Sequence, residues 1–224
     1  MDLQALRVSL VLATATSLCL VFIGIPIAYW LAFTRSRLRA VVEPVVALPL
    51  VLPPTVLGFC VLFALGPRSP VGRALEELTG HALAFTFEGL LIASILYSLP
   101  FAVQPFATAF AGIDVRLREA ALCLGSSSSE VFFRVILPLS RRGVLAGVIL
   151  SFAHTLGEFG VVLMVGGNLP GITRTASIAI YDSVQALDYA SALRTSAVLV
   201  SLSLVILGLT SHLLGGLVLG EKRR

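Results

Sequence analysis

The chain has 224 residues, 57% of them hydrophobic and only 12% charged, with a formal net charge of +4. A soluble domain carries roughly a quarter charged residues, so this composition, with a mean hydropathy of +0.99, excludes an ordinary soluble enzyme. It predicts one all-α integral membrane domain over 1–224, whose arginine-borne positive excess sets topology rather than binding nucleic acid.

The first predicted span covers 8–33 and is followed at once by Arg35, Arg37 and Arg39. A cleaved leader has a shorter apolar core and its positive charge in front, so a retained helix with its N-terminus outside is expected. The second span, 41–66, contains Glu43, Pro44, Pro49, Pro53 and Pro54. Each proline removes a backbone donor, and bare carbonyls are not tolerated against lipid. A kinked helix that packs on protein or lines a path is predicted, with Pro53 and Pro54 as pathway or gate candidates. Residues 67–86 are polar enough to leave the membrane, and 73–83 suit a short surface helix.

The third span, 88–110, carries Pro100, Pro105 and an embedded Gln104. A charged loop over 114–142 follows. Its Ala-rich stretch 115–124 suits a helix started by Asp114 and ended by Gly125. Ser127-x-x-Glu130 has the form of a capping box for a second helix, which Pro138 is expected to stop or redirect. The pair forms either a rigid knob suited to docking or a plain solvated loop. The fourth span is predicted over 143–165, with a turn cluster at 166–171 and extramembranous residues over 168–190. The fifth covers 193–219 and is closed by Glu221, Lys222, Arg223 and Arg224. Each span exceeds the roughly 20 residues needed to cross. Five crossings with the N-terminus outside put the C-terminus and eleven of the sixteen Lys and Arg residues in the cytoplasm. The positive-inside bias then makes the 114–142 loop cytoplasmic.

A phosphate-binding loop needs a lysine in its glycine-rich turn, and the only lysine is Lys222. Neither a His-Glu-x-x-His metal pair nor a Gly-x-Ser-x-Gly elbow is present. Cys19, Cys60 and Cys123 have no metal-type spacing and imply no disulfide. The chain is therefore expected to be no enzyme. Its most unusual pair is His154 and Glu158, four apart inside the fourth span and so on one helix face. A carboxylate at that depth must face the interior or water and have a partner. The pair serves either as a pathway or gate element or as an interhelical tie, and Gly157 and Gly160 beside it permit close helix approach. Arg174, just beyond the span, suits an anion, a partner's carboxylate or a lipid headgroup.

Glu119-Ala120-Ala121-x3-Gly125-x9-Val135-x-Leu137-Pro138 resembles the cytoplasmic signature of ABC-importer permease subunits, with valine where isoleucine is usual. Three further stretches resemble the molybdate-type permeases. These are Leu48-Pro49-Leu50-Val51-Leu52-Pro53-Pro54, Thr155-Leu156-Gly157-Glu158-Phe159-Gly160, and Gly167-Asn168-Leu169-Pro170-Gly171-Ile172-Thr173-Arg174-Thr175. Sulfate-type permeases share part of the second stretch, so tungstate or sulfate stands as an alternative cargo.

The resemblance implies a homodimeric pathway in the plasma membrane of a bacterium or archaeon (the inner membrane if Gram-negative). Two ABC ATPase subunits bind ATP and Mg, no cofactor belongs to this chain, and an external binding protein delivers the oxyanion. It also implies that the 114–142 loop sits in a cleft on each ATPase. There Glu119 makes the polar contact, Ala120 and Ala121 allow a tight fit, Gly125 makes the turn, and Leu137 and Pro138 complete the signature. Gln104, His154, Gly157 and Glu158, with Pro53 and Pro54, are the pathway or gate candidates that the spans themselves offer. Asn168 and Arg174 are the implied external contacts to anion or binding protein. A self-contained secondary transporter, using His154 and Glu158 as a proton relay, is the competing class.

Overall fold

The computed structural model describes residues 2–214, and every regular element among them is helical. In chain order these are α1 (Leu3–Phe33), α2 (Arg39–Ala47), a 3-10 turn (Leu48–Leu50), α3 (Pro54–Leu65), α4 (Pro70–Thr79) and α5 (Phe87–Ala111). Then come α6 (Val115–Cys123), α7 (Ser128–Val131), a π turn (Phe132–Ile136), α8 (Leu137–Leu156), α9 (Gly160–Gly166), α10 (Ala176–Gln185) and α11 (Tyr189–Leu214). The last expected span agrees as far as Leu214. Its remainder to 219 and the basic tail lie outside the described residues.

α5 is the hub, packing on α1, α8, α9, α3 and α2. Small residues make that possible. At Gly24 a Cβ would sit 3.3 Å from the Phe106 ring, and at Gly147 only 2.5 Å from it. The largest buried cluster therefore gathers Leu20, Ala28 and Leu31 of α1 with Val103, Phe106 and Phe110 of α5, and reaches Val131 and Ile136. α1 starts on Asp2, whose Oδ1 accepts the Ala5 amide proton at 3.0 Å. Its 31 residues span about 46 Å at helical rise.

The expected second span is not one kinked helix. The chain bends by 111° between the Arg39–Leu50 and Pro54–Leu65 segments. Pro53 and Pro54 cause this. Pro53 is extended, with φ −54° and ψ 134°, and Pro54 opens α3 at the first helical position, where a missing donor is harmless. Neither leg, at about 18 Å, crosses a hydrocarbon core of about 30 Å alone. α2 lies beside Val103, Ala107 and Ala111 of α5, whereas Leu65 reaches Leu83 and Gly89 at the opposite end. The bent pair thus joins the two ends of the bundle by an oblique route. Four other helices, Leu3–Phe33, Phe87–Ala111, Ser128–Leu156 and Tyr189–Gly208, are long and apolar enough to cross a membrane.

The fourth span also differs from expectation at both ends. Pro138 does not stop the chain, because helix runs from Ser128 through to Leu156. The π turn immediately ahead of Pro138, in which the Leu137 amide donates to the Phe132 carbonyl, is where the helix absorbs the ring and the missing donor. The helix then breaks at residues 157–159 before resuming as α9. The surface helix expected over 73–83 is α4, set three residues earlier by Ser69, whose hydroxyl accepts the Gly72 amide proton at 2.8 Å. Gly80 ends it with φ +79°.

Candidate functional site

Two regions carry the sequence signals, and they lie at different depths. The first is the handle formed by α6 and α7. Asp114 caps α6 by accepting the Arg116 amide proton at 2.9 Å. Beyond Cys123 the amide of Gly125 donates to Leu122 at 3.0 Å and that of Ser126 to Ala121 at 3.1 Å, the paired bonds of a Schellman ending. Gly125 adopts φ +87°, and a Cβ there would meet nothing within 4 Å. Backbone conformation alone therefore demands glycine. The capping box is complete, with Ser127 N–H donating to Glu130 Oε2 at 2.9 Å and Glu130 N–H to Ser127 Oγ at 3.3 Å.

α6 buries none of its residues. Glu119 and Ala120 are exposed, while Ala121 packs inward on the core. Val115, Leu117 and Leu122 are exposed beside them, and Leu124 is 87% exposed. This leaves a short run of exposed apolar side chains on a doubly capped helix. Leu137 and Pro138 lie beyond it, in the helix that continues into the bundle.

The second region is a buried polar cluster. Glu158 is 4% exposed and sits in the break after α8, not on a continuous helix with His154 as its spacing suggested. The break points its carboxylate at α5. Ser94 Oγ donates to Glu158 Oε2 at 2.6 Å and Ser98 Oγ to Oε1 at 2.8 Å. Ser98 Oγ also lies 2.9 Å from His154 Nδ1 and 2.8 Å from Thr155 Oγ1. A hydroxyl has one proton, so if Ser98 donates to Glu158, both His154 Nδ1–H and the Thr155 hydroxyl donate to Ser98. His154 stays within reach of Glu158 at 3.7 Å, stacked on Phe101 with ring centroids 3.8 Å apart and tilted against Tyr97 at 4.7 Å.

Pro54, His154, Gly157 and Glu158, with Thr55 and Tyr97, line one cavity of about 630 Å³. Pro53 does not line it. Gln104 lies apart, on cavities shared with Arg39 and Glu43 and with Pro100 and Arg142. The sequence reading missed Ser94 and Ser98. Their signal was available, since two hydroxyls four apart share one face of a largely apolar helix.

At the far end from the handle, Arg174 Nε donates to Asn168 Oδ1 at 2.6 Å. Its other nitrogens lie 3.6 Å from Asp182 and 3.7 Å from Asp2. Asn168 Nδ2 donates to Asp182 at 2.6 Å. This guanidinium is committed to its own chain, tying the start of α1 to α10. A second tie lies alongside, where the Ala176 amide donates to Ser9 Oγ at 2.8 Å.

The family of binding-protein-dependent transport system inner membrane components matches residues 24–218. The chain belongs to that family. Within it, the permease is similar to the molybdenum transport system permease protein ModB of Azotobacter vinelandii, with 52% identity over 191 residues that cover 85% of this chain and 84% of that one. The permease is similar in fold to a chain in the inward-facing conformations of the MetNI methionine ABC transporter, with a TM-score of 0.74 at 15% identity over 96% of this chain and 94% of that one. It is also similar in fold to a chain of a bacterial alginate ABC transporter solved with an alginate-bound periplasmic protein. There the TM-score is 0.72 at 19% identity, over 93% of this chain and 76% of that one.

Proposed function

We propose that this permease is the membrane-spanning subunit of an ABC importer for molybdate, acting as a homodimer above two ATPase subunits that bind ATP and Mg. An external binding protein supplies the anion. The chain crosses the membrane five times, counting the bent α2–α3 pair once, with the handle in the cytoplasm of a bacterial or archaeal plasma membrane. The observation that carries the reading is the handle, an exposed, apolar-tipped helix with Glu119 at its centre and no motor of its own. The molybdenum permease relatives support the choice of cargo.

ATP-driven closure of the ATPases pushes the two handles together and turns the pathway outward, and hydrolysis returns it inward, a rigid-body switch imposed by a partner. Glu158, turned toward the serines of α5, ties the broken fourth span in place and does not meet the anion. The test is reconstitution in proteoliposomes with the ATPase and binding protein. Molybdate uptake that requires all three components and ATP is expected, with tungstate and sulfate as competitors that rank the cargo. Ion-driven flux by the permease alone, unaffected by removing ATP, would overturn the reading in favour of a secondary transporter.

A further inference from the structure

α6 packs chiefly on α7 and the π turn, which are its own continuation into α8. Held only there, a displaced handle moves α8 and leaves the rest of the bundle to follow through side-chain packing. A second attachment exists. Arg118, half-buried on α6, holds its guanidinium carbon 5.0 Å above the ring of Phe33, the last residue of α1. Phe33 meets Tyr29 edge to face at 5.0 Å, and Tyr29 meets Phe132 of the π turn at 5.3 Å. Phe110, at the end of α5, closes the group at 6.2 Å from Phe132 and 6.4 Å from Tyr29. Tyr29, Phe110 and Phe132 thus pack mutually, Phe33 stands on Tyr29 at their edge with Arg118 over it, and Ala121 of the same helix packs against the core cluster that contains Phe110.

We propose that Arg118, Phe33 and Tyr29 are positioning residues that carry the displacement of the handle into α1, so that α1 and α8 move together. This rests on the reading of α6 as the ATPase handle. Edge-to-face rings resist sliding because the contact is directional, and a planar guanidinium stacks where an ammonium cannot match its area. Phe33 is also the point from which the chain leaves α1 for α2, so a pull on it is passed to the bent segment beside Gln104. The plainer account makes Arg118 a topology charge whose stacking is incidental, and it predicts no change in coupling on removing the ring.

The experiment uses the whole transporter, with permease, ATPase and binding protein in proteoliposomes, and reads molybdate imported per ATP hydrolysed. Phe33→Leu, outside the handle, is expected to leave ATPase association intact while lowering that ratio about fivefold, the factor of one partly desolvated cation–π contact. Arg118→Gln should lower it equally, the double variant no further, and Phe33→Trp should restore it. An unchanged ratio in both single variants, or losses that multiply in the double, overturns the inference. Glu119→Lys is the companion measurement. If it abolishes ATPase association while the Arg118 and Phe33 variants couple normally, only the aromatic attachment is wrong. If it leaves association and uptake intact, the handle reading falls and this inference with it.

Discussion

Replacing Glu158 by alanine tests the tie that holds the broken fourth span against α5. The substitution deletes the hydrogen bonds from Ser94 and Ser98 at 2.6 and 2.8 Å. Hydrogen bonds between membrane helices contribute about 0.6 kcal/mol on average and up to about 1.7, hence about 1–3 kcal/mol for two. Ser98 keeps Thr155 and His154 as partners, whereas Ser94 is stranded, which adds about 1–3 kcal/mol for a buried hydroxyl. The expected loss is therefore about 2–6 kcal/mol. Glu158→Gln keeps the shape, accepts from one serine and donates to the other, and should lose about 1 kcal/mol or less.

Trp30, the only tryptophan, packs against the main core cluster and reports unfolding by its fluorescence during denaturation in mixed micelles. Equal midpoints for the Ala and Gln variants would refute the argument. So would strict additivity of Glu158→Ala with Ser94→Ala, because partners in one bond must couple.

Gly125→Pro should abolish uptake without preventing insertion, because φ +87° is closed to a ring fixed near −65°; normal uptake by a well-expressed variant counts against the handle. Gly147→Ala places a methyl 2.5 Å from Phe106 and 3.0 Å from the Ala102 carbonyl, and should lower stability by about 1–3 kcal/mol, read as a lower melting midpoint in detergent. Leu187→Gly should do the reverse. Leu187 sits at φ +59° and is 72% exposed, so glycine removes about 1–2 kcal/mol of left-handed strain and gives back about 0.4–1 through unfolded-chain freedom. Slower amide exchange at the end of α10 is expected, and faster exchange would contradict the sign.

Local chemistry in this chain was legible from sequence, and tertiary decisions were not. Asp114, Gly125, Ser127 and Glu130 each act within four residues of themselves, and each does what its type predicts. Pro138 was expected to stop or redirect the helix, and instead the helix runs on because the π turn just before it accommodates the ring, a turn no residue pattern announces. The prolines at 53 and 54 signalled a disturbance, but a kink and a 111° bend have the same local cause. Which one forms depends on the surfaces α3 and α9 offer each other. Gly157 and Gly160 were expected to bring helices together. Only Gly160 lies at a close approach, where a Cβ would be 2.9 Å from Pro54. Gly157 instead begins a break whose geometry is dictated by serines some sixty residues earlier. Arg174 pairs with Asp182, eight residues on, and with Asp2 at the other end of the sequence; the second partner is one no local pattern could name.

The exposed leucines of α6 have a consequence for the life of the chain before assembly. On the proposed topology, Leu124, 87% exposed and two residues beyond the exposed Leu122, presents to the cytosol the sort of surface that chaperones and proteases recognise. On the proposed reading, only docking to the ATPase covers it. On that reading a permease made in excess of its motor is marked for removal by the same residues that later carry the force, and matched synthesis of the two chains follows from the shape of one nine-residue helix and its cap.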